Sequence, residues 1–375
     1  MRRWKLGLTG EGVLRVGTVI TALVVVPSGL VAQSLTWLGT LGGFTSVAHG
    51  VSADGRVVVG WSTDATHRNY RAFCWTSTTG MQDLGTLGGS QGGSFSVSAD
   101  GHVIVGWARN ANDQSRAFRR ENGVMQNLGV LYEAQSSWSE AHAVSADGSI
   151  VVGVSNGLAF RWTQSDGMQA LESRFRVAYG MSLDGRVIVG RSDRGACLWQ
   201  NGVIRDLGTL SGYPYSVAMG VSADGSVIVG FATDNVQNAR AFRWENGTMQ
   251  DIGTLPGYSY RVCAMSVSAN GKIIVGWAEN YYEQPRAFRW TASRGMEDLN
   301  QTYADLLGRS VLWKAYAISP NGRYIVGHGY NAATGRYEAF LLDTGVLQGD
   351  VNDDGRVDDT DLLTVLFNFS SGCIH

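Results

Sequence analysis

The stretch SADGRVVVG, at Ser52–Gly60, recurs six more times along this 375-residue chain, and it decides the fold. Every copy keeps the serine, an Asp or Asn two residues later, a glycine, and a closing Val-Gly; the further copies begin at Ser98, Ser145, Ser182, Ser222, Ser268 and Ser319. Successive first glycines are 46, 47, 37, 40, 46 and 51 residues apart. Self-similarity at such a period is typical of repeat architectures.

Each repeat predicts four short strands. In the first repeat, one strand runs through Val47–Val51, an Asp-Gly hairpin turn follows, and a Val-rich strand covers Arg56–Trp61. The third strand is RAFCW at Arg71–Trp75, and the fourth is MQDLGTL at Met81–Leu87. Four strands in each of seven repeats predict an all-β fold, a seven-bladed β-propeller, over residues 33–343.

The chain also carries a strand that could close this propeller. SLTWLGTL at Ser34–Leu41 matches the fourth strand but precedes the first full repeat, whereas the seventh repeat ends after its third strand. Residues 34–41 are therefore expected to complete the last blade and remove its open edge. Gly345–Gln348 resembles the start of a fourth strand and is the competing candidate for that edge.

The third-strand motif carries a family resemblance. Arg-Ala-Phe stands at Arg71, Arg116, Arg240 and Arg286, in repeats that resemble the HAF repeats of bacterial extracellular repeat proteins. The leading residue departs from the His-Ala-Phe that names the family. The resemblance implies an exported propeller and brings no defined activity with it.

The first residues predict an export signal. Arg2, Arg3 and Lys5 precede the uncharged, mostly apolar run Val16–Val26, and small residues follow, so residues 1–32 read as a secretory signal peptide with cleavage after Ala32 or Ser34. The alternative is a membrane anchor, but eleven residues are too few to span about 30 Å of hydrocarbon. We therefore expect a secreted or cell-surface protein without a membrane span. A formal net charge of −2 disfavours a nucleic-acid partner.

The segment 344–375 contains the strongest chemical motif. GDVNDDGRVDDTDLLTVLF alternates short oxygen-bearing side chains as a calcium loop of the EF-hand type does, with a glycine at the sixth position. The predicted Ca²⁺ ligands are Asp350, Asn352, Asp354, Arg356 through its carbonyl, Asp358 and Asp361. A short helix is expected to follow the loop.

The aspartate at the twelfth loop position makes this segment resemble a dockerin repeat. Dockerins usually carry two such loops and dock onto cohesins of polysaccharide-degrading assemblies, but this chain has one. The resemblance implies a cohesin-type partner, and a single calcium-stabilised terminal module is the alternative.

Recurrent features of the repeats point to structure rather than catalysis. The chain lacks HExxH and Walker motifs. The Ser-x-Asp-Gly of every repeat reads as a turn. His49 and His142 share one first-strand position, three residues before the serine, where a role in lining or packing the channel is expected.

The loops of one face are rich in aromatic residues and suggest a recognition surface for a glycan or an extracellular protein. The candidate ligand-binding residues are Tyr132, Trp138, Tyr213, Tyr215, Tyr258, Tyr260, Tyr281, Tyr282 and Trp313. This pattern favours a non-enzymatic binding protein. The alternative is a carbohydrate-active enzyme or a dockerin-bearing component of polysaccharide degradation, with its carboxylates drawn from Glu133, Glu140, Glu279, Glu283 and Asp305. Glu140 and Lys314 are the charged groups expected near the central mouth.

Overall fold

A computed structural model describes residues 32–236 and 238–345, which form an all-β, propeller-like array of four-stranded antiparallel units. The first strand, β1 (Ser34–Trp37), belongs to the last unit. Unit 1 then comprises β2 (Gly42–Val51), β3 (Val58–Asp64), β4 (Tyr70–Thr76) and β5 (Gly80–Asp83). Unit 2 comprises β6 (Gly88–Val97), β7 (Ile104–Asn110), β8 (Ser115–Glu121) and β9 (Val124–Asn127).

The middle units repeat this order. Unit 3 comprises β10 (Ser139–Val144), β11 (Ile150–Ser155), β12 (Leu158–Thr163) and β13 (Gly167–Ala170). Unit 4 comprises β14 (Phe175–Met181), β15 (Val187–Ser192), β16 (Gly195–Gln200) and β17 (Val203–Asp206). Unit 5 comprises β18 (Tyr215–Val221), β19 (Val227–Thr233), β20 (Ala239–Glu245) and β21 (Thr248–Asp251).

The last units complete the array. Unit 6 comprises β22 (Arg261–Val267), β23 (Ile274–Glu279), β24 (Pro285–Thr291) and β25 (Gly295–Asp298). Two short helices, α1 (Leu299–Thr302) and α2 (Ala304–Leu307), lead into unit 7, which comprises β26 (Val311–Ile318), β27 (Tyr324–Asn331) and β28 (Arg336–Asp343). The fourth strand of unit 7 is β1, which pairs antiparallel with β28 from Ser34 opposite Asp343 to Trp37 opposite Phe340.

The first strands of consecutive units contact one another, and the first strand of unit 7 also contacts that of unit 1, so the array is circular. Between neighbouring units lie apolar layers centred on fully buried third-strand aromatics: Phe73, Phe118, Phe160, Phe242, Phe288 and Phe340. Burial of each ring contributes about 1.5–3 kcal/mol. Unit 4 places Cys197 at this position, and Cys74, Cys197 and Cys263 are free thiols.

The fourth strand is shorter than the sequence predicted. In unit 1 the pairing ends at Asp83, and the following Leu-Gly-Thr-Leu leaves the sheet. Leu84 still donates one backbone hydrogen bond to Ala72 and packs with Leu87 between units 1 and 2. The apolar residues of this stretch were therefore signals of inter-unit packing rather than of strand pairing.

The Ser-x-Asp-Gly repeat is a structural turn. In unit 3 the Ser145 hydroxyl donates to Asp147 and accepts from the Ile150 backbone amide, while the Asp147 carboxylate accepts from the amide of Ser149. Gly148 adopts a positive φ of 75°. These bonds to carboxylate lower the pKa of Asp147, with the Ser145 hydroxyl the largest contribution. Both polar side chains are engaged in shaping the turn.

Candidate functional site

The centre of the array is lined by residues that a repeated backbone irregularity turns inward. Each first strand carries a β-bulge at the residue three positions before the serine of the Ser-x-Asp-Gly turn. The bulged residues, named here the channel ring, are His49, Phe95, His142, Tyr179, Met219, Met265 and Tyr316. A bulge re-aims a side chain, which explains why the same position faces the channel in every unit.

Contacts within the channel ring are continuous over five of its members. Tyr316 lies 4.8 Å from His49 between ring centroids, His49 lies 5.4 Å from Phe95, and Phe95 lies 5.5 Å from His142. His142 stacks on Tyr179 at 5.3 Å. The channel ring therefore separates two vestibules, one toward the Ser-x-Asp-Gly turns and one toward the long loops.

The two vestibules differ in chemistry. The turn-side cavity, of about 220 Å³, is lined by the channel ring and by residues that include Val51, Val144 and Ile318, with no Asp, Glu, Lys or Arg among its described lining residues. The loop-side vestibule, called the funnel below, receives charged side chains from the positions two residues before the channel ring. Most units place Val, Gly or Cys there, but unit 3 places Glu140 and unit 7 places Lys314. Both residues were expected at this mouth from the sequence.

Glu140 and His142 lie side by side in the funnel. The Nδ1 atom of His142 lies 2.9 Å from the carbonyl oxygen of Ala178, and a carbonyl can only accept, so Nδ1 carries hydrogen. The Nε2 atom then faces the Glu140 Oε2 atom at 3.5 Å. A carboxylate oxygen and an imidazole nitrogen thus face each other across the funnel wall, within reach of a ligand bound between them.

A second charged group, named the Glu279 cluster, consists of Arg261, Glu279 and Lys314. The Glu279 side chain is only 8% exposed, and its oxygens lie 3.5 Å from the Arg261 Nη1 atom and 3.7 Å from the Lys314 Nζ atom. The Lys314 ammonium also lies 3.9 Å from the Trp277 ring centroid. Two cations from units 6 and 7 thus share one carboxylate, and one of them, the Lys314 ammonium, lies over an indole face.

The Glu279 cluster borders a cleft of about 280 Å³ between units 5 and 6. Arg261, Trp277, Phe231 and Asp234 line this cleft together with Cys263. Burial raises the pKa of the Cys263 thiol to about 12, so the sulfur is protonated at neutral pH and is no nucleophile there. The cleft offers cations and ring faces rather than a reactive thiol.

Two buried histidines stay neutral in the channel. Burial lowers the pKa of His49 to about 4, and burial together with the Lys314 charge and His49 lowers that of His328 to about 3. The His49 Nε2 and His328 Nδ1 atoms are buried without a hydrogen-bond partner in the described part of the chain. Packing of His49 in the channel ring agrees with the role expected from its sequence position.

The candidate ligand-binding aromatics are not one uniform surface. Tyr281 and Tyr282 are 81% and 82% exposed, whereas Tyr213 and Tyr258 lie under the guanidinium groups of Arg240 and Arg286. The remaining members are exposed at Tyr132, Trp138 and Tyr215 and half-buried at Tyr260 and Trp313. The half-buried members therefore help to fix the loops.

The Arg-Ala-Phe arginines explain much of this loop packing. The Arg71, Arg116 and Arg240 guanidinium groups donate to the carbonyl oxygens of Ser90, near the start of β6, and of Ser137 and Ser259, in the loops that precede β10 and β22. The motif arginine therefore clamps one unit to the start of the next, a role that the sequence did not reveal.

Two of the five candidate acids lie on strands around the funnel. Glu140 and Glu279 belong to units 3 and 6, and three units is the widest separation that a circle of seven units allows. Glu133, Glu283 and Asp305 are exposed residues of the loops and of α2. The sequence placed Glu279 among the acids but missed its pairing with Arg261, which lies opposite it on the neighbouring strand of unit 6, and with Lys314 of unit 7.

The predicted calcium ligands, from Asp350 to Asp361, lie outside the described residues. Among residues 32–236 and 238–345, no group of three or more His, Cys, Asp or Glu side chains could hold a metal ion. Within that same part of the chain, no helix has the length and apolar character needed to cross a bilayer.

The comparisons with known proteins bear on the fold. No family model and no curated protein matches the chain. An oligogalacturonate lyase from Vibrio parahaemolyticus is similar with a TM-score of 0.52 and 10% identity, over 82% of this chain and 93% of the lyase. An oligogalacturonate lyase in complex with manganese matches with a TM-score of 0.52 and 11% identity, over 82% and 92%. TolB from Acinetobacter baumannii has a TM-score of 0.40 and 12% identity, over 81% of this chain and 65% of TolB.

The two likenesses with TM-scores of 0.52 confirm a propeller-like all-β fold, and they correct one prediction. The expectation of a non-enzymatic binding protein is wrong on this comparison, because the structures that match with TM-scores of 0.52 are enzymes. The physical reason for the error is that the exposed tyrosines drew attention to the rim, whereas the charged groups meet deeper, in the funnel. The alternative of a carbohydrate-active enzyme is the reading carried forward.

Proposed function

We propose that this protein is an exported carbohydrate-active enzyme that cleaves a glycosidic bond in the funnel. The observation that carries the proposal is the Glu140–His142 pair, which sets a carboxylate 3.5 Å from an oriented imidazole in the funnel. Breaking a glycosidic bond requires proton transfer to or from the reacting oxygen or its neighbours, and a positioned side chain contributes about 10²–10⁴-fold to such a step.

The fold supports this assignment. We infer a seven-bladed β-propeller, since seven four-stranded units complete the circle and the first strands of units 7 and 1 touch. Oligogalacturonate lyase, a carbohydrate-cleaving enzyme by its name, shares the propeller-like arrangement. The described residues offer no ligand group that suits the manganese named for one neighbour, so the proposed roles belong to this chain's side chains.

Each funnel group has a distinct proposed role. The Ala178 carbonyl orients the His142 ring, and Glu140 faces its Nε2 atom. The Glu279 carboxylate fixes the Lys314 and Arg261 cations at the entrance. The channel ring forms the floor, so a sugar chain enters and its products leave through the same mouth.

Two further features complete the proposal. The charged start and apolar run of residues 1–32 support export, and the repeats support membership of the HAF-repeat proteins. The alternating oxygen ligands from Asp350 to Asp361 support a calcium-binding, dockerin-like terminal module. A cohesin on a polysaccharide-degrading assembly is the partner that this module would suit.

The test is cleavage of a panel of neutral and acidic polysaccharides by residues 33–375, followed through new reducing ends. Glu140→Gln removes the carboxylate with little change of shape, and we expect kcat to fall at least 100-fold on the substrate that is cleaved. Glu133→Gln, on an exposed loop, is the matched control and should keep full activity. A folded wild-type protein that cleaves none of the panel, or an active Glu140→Gln variant, would overturn the proposal.

A further inference from the structure

A continuous series of contacts runs from the exposed rim of unit 6 into the funnel. Tyr281, 81% exposed, meets Tyr260 at 5.4 Å between ring centroids, and Tyr260 lies 4.9 Å below the Arg261 guanidinium. Arg261 reaches Glu279, which reaches Lys314 above Trp277. This track therefore combines aromatic rings with cations. Units 1 and 2 carry Val47 and Gly93 at the positions equivalent to Lys314.

The Lys314 ammonium retains hydrogen-bonding capacity for a further anion. Lys314 carries three N–H donors, its side chain is 23% exposed, and its described contacts are an ion pair at 3.7 Å and the indole face. Neither of these contacts is a hydrogen bond at 2.7–3.2 Å. The Glu279 Oε2 atom accepts no hydrogen bond either, so the Glu279 cluster is held by charge without being saturated.

The charge balance of the track favours an anionic ligand. Two cations face one carboxylate in the Glu279 cluster, which leaves one positive charge. The nearest further acid of the cleft, Asp234, is engaged with its own loop, because its carboxylate accepts from the Val236 amide and from the Asn238 backbone and side chain. These neutral donors hold the Asp234 carboxylate in its own loop without cancelling its charge, so the excess of cations applies to the three residues of the Glu279 cluster, which lie beside aromatic rings.

We propose that this track is a subsite for an acidic glycan, in which the sugar's anionic group binds Lys314 and Arg261 and an adjoining sugar ring packs on Tyr260 and Tyr281. This inference rests on the proposed function and names its substrate class. The cleft beside Arg261, about 280 Å³, is below the roughly 300–1,000 Å³ of sites that enclose a whole drug-sized ligand, so it suits one ring of a longer chain. Carboxylate of a uronic acid and sulfate ester share the required charge.

The test measures binding separately from cleavage. Oligogalacturonate, its fully methyl-esterified form and a sulfated galactan are titrated calorimetrically into the Glu140→Gln variant, with the wild type assayed for cleavage in parallel. We expect oligogalacturonate or the sulfated galactan to bind at least 10-fold more tightly than the neutral ester. The stronger of the two identifies the anion, and that binding should weaken with added salt.

Variants assign the site. Lys314→Met should weaken binding of the preferred acidic glycan at least 10-fold, whereas Lys272→Met, on the turn face, should leave it unchanged. Tyr281→Ala should weaken binding, whereas Tyr70→Ala, at an exposed tyrosine of unit 1, should not. Circular dichroism and thermal unfolding verify that each variant folds, and Lys314→Arg should restore binding if charge is what matters.

Each outcome separates the two proposals. Equal binding of acidic and neutral oligomers, or unchanged binding by Lys314→Met, overturns the acidic subsite even when the wild type cleaves a neutral polysaccharide. Tight, Lys314-dependent binding without cleavage of any substrate supports the subsite and overturns the enzymatic function.

Discussion

At the scale of single residues, the glycine of each Val-Gly pair is required because the backbone of the neighbouring first strand leaves no room for a side chain. A Cβ atom on Gly106 would lie 2.1 Å from the carbonyl oxygen of Gly93 and one on Gly153 would lie 2.0 Å from that of Glu140. The close approach accompanies the bulge that turns the next first-strand residue inward. The glycine and the channel ring are therefore two consequences of one backbone shape.

This steric requirement predicts the effect of a single methyl group. Gly106→Ala should lower the free energy of unfolding by about 1–3 kcal/mol or more, because the backbone of β6 must move to admit the side chain. Urea unfolding of the purified variant measures the change. Wild-type stability in Gly106→Ala would show that the bulge adapts freely and that the glycine has another cause.

The neutral His49 predicts a loss of stability in acid. The pKa of His49 in the folded protein is about 4, below the ordinary histidine value of 6.5. Protonation of this side chain therefore favours the unfolded chain. The contribution is complete above pH 6.5 and is lost as the pH falls from there toward 4. His49→Phe, the residue that unit 2 carries at this position, should reduce the loss between pH 7 and pH 4 by about 3 kcal/mol.

Chemical unfolding at a series of pH values measures this difference. His102→Phe, on an exposed turn, is the control and should leave the pH dependence as in the wild type. Parallel pH profiles for the wild type and His49→Phe would contradict the assignment. His328, with its pKa lowered to about 3, should supply part of the acid sensitivity that remains.

At the scale of elements, the circle is completed by a strand from the opposite end of the chain. β1 supplies the fourth strand of unit 7, and its Leu35 and Trp37 pack on a core that includes Leu342 and Phe340. Without β1, the outer edge of β28 would present unpaired backbone groups beside an uncovered apolar surface.

Removal of this strand should destabilise the protein and promote self-association. A chain that begins at Gly39 is expected to show a lower Tm than one that begins at Gln33, and light scattering should detect larger species. A synthetic peptide covering residues 33–41 supplies the missing strand and should reverse both effects. A shortened chain that remains monomeric with an unchanged Tm would show that the edge needs no partner.

At the scale of the whole molecule, the propeller and the calcium segment are expected to act independently. A chain that ends at Gly345 should keep the Glu140-dependent cleavage, because Thr344 already closes the described fold through hydrogen bonds to the Arg323 carbonyl. The full chain should bind one Ca²⁺ with a Kd of about 10⁻⁴–10⁻³ M, and the shortened chain should not. Calorimetric titration of both chains with CaCl₂ decides this, and equal calcium binding would place the site elsewhere.

The sequence predicted the architecture well because each repeat contains its own structural information. The Asp-Gly turns, the Val runs and the Phe of the third strand act within one unit, and seven copies allow the positions to be compared. The Leu-Gly-Thr-Leu tail was overread as strand because apolar residues that pack between units and those that pair within a sheet look alike.

The candidate site was harder to predict from the sequence, because its residues differ from those at the same positions of the other repeats. Glu140 and Lys314 stood out at a position filled elsewhere by Val, Gly or Cys, so the sequence indicated them. The partnership of Lys314 with Glu279 and Trp277 joins the first strand of one unit to the second strand of another. Such partners follow from the order and curvature of the units, which no single repeat encodes.

The pairing of β1 with β28 has a consequence for how the chain matures. The two strands lie about 300 residues apart in the sequence. The circle of units therefore cannot close until nearly the whole described chain is present. In the export proposed for this chain, the amino end crosses the membrane first. β1 then stays unpaired until β28 has crossed as well. Assembly would then be timed by the end of transport, and the finished ring would form only on the far side of the membrane.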